Sequence, residues 1–242
     1  MSAAPLLATT GLAKHFGGVA AVDGVDFRLA EGELRCLIGP NGAGKSTFFK
    51  MLTGQLAPTA GRIAFAGLDI TGRERHEVSR LGIGIKTQVP SVFDGLSVRE
   101  NIRLAARRKH DAKGAARVVD ETLGLTALGA EAERRVGHLA HGQRQWLELG
   151  MVLAAAPRLL LLDEPTAGMT RDEVGRTAEL IRDIRRHCAM IVVEHDMQFV
   201  RMIAETVTVF HQGRVLVEDS MANVLRDERV RDVYLGRQSH HA

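Results

Sequence analysis

Residues Gly39-Pro40-Asn41-Gly42-Ala43-Gly44-Lys45-Ser46 match the pattern G-x-x-x-x-G-K-[ST] in full. Glycines let a loop turn tightly and aim successive backbone N–H groups at an anion. The pattern predicts a buried strand before the loop and a helix from Lys45, whose positive end faces the same anion. Lys45 then reaches the β- and γ-phosphates of a nucleoside triphosphate, and the Ser46 hydroxyl ligates Mg²⁺. Taken alone, this loop leaves kinases, GTPases and motor ATPases open.

A second constellation narrows the chemistry. Leu159-Leu160-Leu161-Leu162-Asp163-Glu164-Pro165 reads as an apolar strand that ends in two acids. Asp163 is placed to hold Mg²⁺ through water. Glu164, one residue further, projects differently and is placed to polarise an attacking water. His195 follows Glu194 at the end of the next apolar strand. In isolation it reads equally as a satisfied structural histidine; beside Asp163 and Glu164, a contact to the γ-phosphate is favoured.

These residues need elements to carry them. Short runs at Val25 to Leu29, Leu34 to Ile38 and Gly61 to Ala66 read as strands, with a helix from Lys45 to Leu52. Residues 89–149 read as helical, with apolar periodicity in Val98 to Arg108 and Ala115 to Leu123. Strands return at Leu159 to Leu162 and Ala189 to Val193, around a helix over Arg171 to His187. Thr170 is a cap for that helix, and Glu173 completes a capping box. A hairpin is expected between Val207 to Phe210 and Arg214 to Val217, turning at Gln212-Gly213. Near-continuous apolar strands alternating with helices predict an α/β fold with a parallel sheet covered on both faces. Ligands of such sheets bind beyond the carboxyl ends of the strands, where the motifs fall.

The chain has 242 residues and a net charge of +3 with both signs interspersed, which calls for neither nucleic acid nor an anionic membrane as partner. Its two cysteines, Cys36 and Cys188, form no CxxC or His/Cys cluster, which argues against structural zinc and fits a reducing compartment. The longest apolar run, Leu149 to Ala156, is far short of the ~20 residues of a membrane helix. No secretory signal is read at the first residues. The chain is therefore expected to be soluble, with any membrane role borrowed through a partner.

Taken together, the phosphate loop, Gln88, Leu139-Ala140-His141-Gly142-Gln143, Asp163-Glu164 and His195 resemble, in order and spacing, the ATPases of ABC transporters. The resemblance covers nearly the whole chain. It implies a P-loop NTPase (RecA-like) core with a parallel sheet, an N-terminal antiparallel β subdomain and an inserted α-helical subdomain. Residues 1–88 and 150–242 would form the core with its β subdomain, and residues 89–149 the helical one. It implies ATP and Mg²⁺ as cofactors. Phe16 would stack on adenine, residues Gly39 to Thr47 would cradle phosphate, and Ser46, Gln88 and Asp163 would serve the metal. Lys45, Glu164 and His195 would be catalytic. Leu139 to Gln143 resembles the signature that faces the γ-phosphate of a partner subunit's ATP, so a working site implies a dimer. Two positions depart from the usual Leu-Ser-Gly-Gly-Gln pattern: Ala140 replaces serine and His141 replaces glycine. Thr170 stands where aspartate is common.

Within the family, His141 to Glu148, Ala167 to Thr170, Val193 to Met197 and Val233 to Gly236 are similar to the branched-chain amino acid and urea uptake branch, closest to the urea type. This implies an importer with a second ATPase, permease subunits and an extracytoplasmic binding protein, the chain lying on the cytoplasmic face of the membrane. Val92, Phe93 and Leu96 stand equally for a groove that takes a permease helix and for lobe core. An exporter ATPase for lipid or lipopolysaccharide, a weakly catalytic regulatory subunit, and a soluble mechanical factor acting on nucleic acid or ribosomes are the rival readings; a single phosphate loop counts against the last.

Overall fold

The computed structural model describes residues 4–88 and 90–235. Val89, where the helical segment is expected to begin, and Gly236 lie outside the described residues. The chain opens with two long strands, β1 (Leu7–Phe16) and β2 (Val19–Leu29), then β3 (Leu34–Ile38) and α1 (Lys45–Leu52). Next come β4 (Ala60–Phe65), β5 (Leu68–Asp69), α2 (Arg75–Arg80) and β6 (Ile83–Lys86). Three helices follow: α3 (Val98–Ala106), α4 (Ala112–Leu125) and α5 (His141–Ala154). The remainder is β7 (Leu159–Asp163), α6 (Arg171–Ile184), β8 (Ala189–Val193), α7 (Met197–Ile203), β9 (Thr206–His211), β10 (Arg214–Ser220), α8 (Met221–Val224) and α9 (Glu228–Leu235).

The strands form two sheets. One is antiparallel, in the order β2-β1-β4-β5. The other runs β10-β9-β3-β8-β7-β6, parallel from β9 to β6 with β10 antiparallel at its edge. The large sheet is thus parallel where the motifs lie and mixed at one margin, because the tight turn at Gln212-Gly213 joins neighbours directly. Its central strands β3, β8 and β7 are buried on both faces, with side chains alternating between two cores. Leu160 and Leu162 of β7 pack with α3–α7, whereas Leu159 and Leu161 pack with α1 and the antiparallel sheet. That alternation is why the strands read as continuous apolar runs.

β1 and the first half of β2 carry no simple period-two signal. Their pairing shifts register between Thr9 and Leu12, and Gly11 takes a positive φ of 56°. Gly61 of β4 sits against that irregularity: a Cβ there would stand 2.4 Å from the Gly11 carbonyl oxygen. The expected strand from Val25 therefore begins at Val19. The expected helix to His187 ends earlier, at Ile184. α4 starts at Ala112, ahead of the periodic stretch, because the Asp111 side chain accepts from the Gly114 N–H at 2.8 Å and caps it. α5 runs through residue 149 without a break.

Candidate active site

The carboxyl ends of β3, β7 and β8 lie side by side, since these strands are adjacent and in register. Every residue of β3 is buried, so the chain leaves the core at Gly39 with little freedom. A Cβ on Gly39 (φ +148°) would stand 2.3 Å from the Phe210 carbonyl oxygen, and one on Gly44 (φ +105°) 2.4 Å from that of Ala21. The two outer glycines thus let the loop press against neighbouring backbone. Gly213 N–H donates to the Ala43 carbonyl at 2.9 Å and ties the β9–β10 turn to the same loop. α1 is anchored beneath by Phe48, whose ring lies 5.6 Å from Phe27 and 5.2 Å from Phe210. Asn41, Gly42 and Ser46 are exposed at the rim, and Pro40 and Thr47 are half-buried. The Lys45 ammonium folds back to donate to the Gly39 carbonyl at 2.6 Å and the Pro40 carbonyl at 3.0 Å. Burial lowers its pKa, while Glu164 and Asp163 pull the other way.

Asp163 ends β7 half-buried. Burial first, and Glu164 second, hold its carboxyl above the usual range, against Lys50 and Lys86. Glu164 takes φ +44°, a conformation disfavoured for a residue with a side chain. Its N–H donates to the Val193 carbonyl at 3.0 Å and its own carbonyl accepts from the Ala167 N–H at 3.2 Å, which holds the turn. The strained turn aims its carboxylate at two other predicted residues. The Gln88 amide Nε2 donates to Glu164 Oε2 at 2.9 Å, and His195 Nδ1 lies 3.4 Å from Glu164 Oε1.

Two groups of buried polar residues stand behind these and were not singled out from sequence. Glu194 is 1% exposed and fully engaged. Its Oε1 accepts from the Thr166 hydroxyl at 2.7 Å and the Thr166 N–H at 3.3 Å. Its Oε2 accepts from the N–H groups of His195 and Asp196 at 3.1 and 3.4 Å. One carboxylate thereby locks the loops after β7 and β8 together. An acid directly after an apolar strand was the available signal. The second group is Lys86, Gln145 and Glu148, all buried. Lys86 donates to Gln145 Oε1 and lies 3.7 Å from Glu148 Oε2. Burial lowers the pKa of Lys86 and raises that of Glu148. Gln145 Nε2 donates to the Gln88 carbonyl at 3.3 Å and lies 3.3 Å from His141 Nε2.

Leu139 to Gln143 sits apart from the phosphate loop. Among the described residues it makes no hydrogen bond or ion pair with residues 39–47. Leu139 is buried, and Ala140 caps α5 without a side-chain acceptor. Gln143 Oε1 accepts the Ala140 N–H at 3.0 Å. His141 Nε2 lies 3.1 Å from the Ala167 carbonyl, which it can only reach as a donor. Phe16 is 50% exposed at the end of β1, with the Lys14 ammonium 5.4 Å from its ring centre. Val92 packs against the core and Phe93 is 55% exposed, so those two neighbours separate.

A sequence model described as the ABC transporter family matches residues 22–167, which contain both the phosphate loop and Asp163-Glu164. The chain belongs to the ABC transporter family. It is the ATP-binding, ATP-hydrolysing subunit of such a transporter. BraF of Pseudomonas aeruginosa, a high-affinity branched-chain amino acid transport ATP-binding protein, is 32% identical over 96% of this chain and 98% of its own length. LptB of Acidithiobacillus ferridurans, a lipopolysaccharide export ATP-binding protein, is 36% identical over 96% and 98%. The ribose import protein RbsA 1 of Rubrobacter xylanophilus is 36% identical over 94% of the chain, which spans only 46% of that longer relative. The structure of MJ1267, an ATP-binding cassette of an ABC transporter, in its ADP conformation, superposes with a TM-score of 0.85 at 27% identity, covering 97% of this chain and 100% of that one. No described helix of this ABC cassette is long and apolar enough to cross a membrane.

Two variants test the site's electrostatics. Glu194→Ala leaves the Thr166 hydroxyl and three N–H groups without their acceptor, and a loss of about 2–3 kcal/mol is expected in urea unfolding; a loss near zero would remove the lock. Asp163→Asn discards a carboxyl that the folded chain protonates more readily than the unfolded chain does. Without nucleotide or metal the variant should be the more stable at neutral pH. The gap should close as pH falls and Asp163 protonates in the parent. Thermal melts across pH would show this, and a pH-independent gap would contradict it.

Proposed function

We propose that this ABC ATPase powers an importer for urea or branched-chain, hydrophobic amino acids. The observation that carries the catalytic part is the convergence of Gln88 and His195 on the Glu164 carboxylate, beside the Lys45 loop. ATP lies between Phe16 and the loop Gly39 to Thr47, with the adenine on the exposed Phe16 ring and the phosphates over the glycine amides. Lys45 exchanges its two carbonyl partners for the β- and γ-phosphates. Glu164 takes a proton from the attacking water, and His195, held at the same carboxylate, contacts the γ-phosphate.

Mg²⁺ fits the residues present. The Ser46 hydroxyl, the Asp163 carboxylate and the Gln88 amide oxygen are hard donors suited to it, and a cation would relieve the raised carboxyl of Asp163. Bound there, it would supply positive charge that offsets the negative charge of the phosphates.

Residues 139–143 bind no phosphate loop of their own chain, so they serve the γ-phosphate of a second cassette subunit. Two ATP molecules then lie between two subunits, each site closed by the other's signature, and closure excludes water. We read residues 89–149 as the lobe that carries the signature and Gln88 as the hinge that reports nucleotide state to it. Permease subunits bind this cassette at the cytoplasmic face of the membrane, and an extracytoplasmic binding protein supplies substrate. The full-length similarity to BraF supports the amino acid reading; the similarity to LptB supports lipopolysaccharide export as the second reading.

Glu164→Gln should keep ATP binding while lowering steady-state turnover at least ~100-fold, as loss of a general base does; unchanged turnover would take the base role from Glu164. Uptake of labelled leucine and of urea by cells with and without the chain separates the substrates. Undisturbed uptake of both, with lipopolysaccharide export impaired, would select the exporter.

A further inference from the structure

The segment after Glu164, through the first turn of α6, meets two successive residues, His141 and Gly142. His141 Nε2 lies 3.1 Å from the Ala167 carbonyl, and a Cβ on the adjacent Gly168 would stand 3.2 Å from the same nitrogen. Glu173, in the first turn of α6, makes the second contact. Its Oε2 accepts from the Thr170 N–H at 2.8 Å and the Thr170 hydroxyl at 2.9 Å. Its Oε1 lies against Gly142 in the first turn of α5: a Cβ there would stand 2.2 Å from that oxygen and 2.6 Å from Cδ. The Thr170 N–H first, then the Thr170 hydroxyl, His141 and the Gly142 N–H, hold the carboxyl below the usual range. It is therefore an anion at neutral pH, at the amide end of a helix whose cap, Ala140, brings no acceptor of its own.

We propose that Glu173 is a positioning residue that occupies the signature turn at Gly142 as a resident anion. The γ-phosphate of a second copy of this chain must displace it, and Glu173 thereby sets the ATP concentration at which two subunits close. The assignment rests on the reading that residues 139–143 face a partner's γ-phosphate. Its physical basis is that two anions held against the same helix turn disfavour each other. Closure therefore requires the carboxylate to leave Gly142. Thr170 offers it a second set of partners, so it leaves without being stranded. The His141 tether to Ala167 keeps the loop beside the signature and the carboxylate within reach when the phosphate departs. Glycine at position 141 would offer no such tether, and serine at position 140 would offer its own acceptor.

The test uses the slow-turnover Glu164→Gln chain and follows ATP-driven association by light scattering. Adding Glu173→Gln keeps the side chain's length and one acceptor and removes the charge. The ATP concentration for half-maximal association should fall about two- to fivefold, the range of a single anion at a helix N-terminus. Thr170→Ala disturbs the same cap but leaves the charge at Gly142, and should not lower the midpoint. Glu173→Asp keeps the charge one methylene further back and should fall between. A Glu173→Gln midpoint at or above the parent's, or an equal fall with Thr170→Ala, overturns the assignment. A parent that stays monomeric at saturating ATP overturns the composite-site reading beneath it instead.

Discussion

Charge held out of water at the tips of three parallel strands is the constraint around which the rest of this cassette is arranged. Lys45 rests on the carbonyls of its own loop, and Asp163 carries a carboxyl that burial and its neighbour Glu164 make costly to ionise. The opposite charges nearby, Glu164 and Asp163 for Lys45 and Lys50 and Lys86 for Asp163, offset that burial only in part. The phosphates of ATP suit the Lys45 ammonium in place of its two carbonyls, which makes nucleotide binding a natural completion of the loop. Positioned groups of this kind need little rearrangement as charge develops in the reaction.

Holding such charges requires rigidity behind them. Glu194 joins the loops after β7 and β8 through four hydrogen bonds, so the turn that aims Glu164 and the backbone that carries His195 move as one. The strained φ of Glu164 persists because that surrounding structure over-determines it. Beneath Gln88, the buried Lys86–Gln145–Glu148 group links β6 to α5. Gln145 thus lies between the Gln88 carbonyl, to which it donates, and the His141 ring.

The same helix, α5, also meets the segment that follows Glu164. Its first turn is tied to the chain's own segment after Glu164 by the His141–Ala167 contact and by Glu173 of α6 packing against Gly142. This arrangement fixes the start of α5 relative to the turn that carries Glu164.

Sequence alone carried the features governed by local rules. The phosphate loop is legible because its glycines and lysine must be consecutive, and β3, β7 and β8 because strands buried on both faces are apolar throughout. The Thr170–Glu173 capping box was legible for the same reason: its partners lie three residues apart. β1 and the start of β2 were not singled out, since a register shift at Gly11 breaks the alternation that marks a strand. Only the tertiary structure brings Gln88, Glu164 and His195 together, turns Glu194 into a lock, and sets Glu173 on Gly142. Those contacts join residues distant in the chain. Their energy comes from desolvated charge finding a partner, which no local pattern of residue types records.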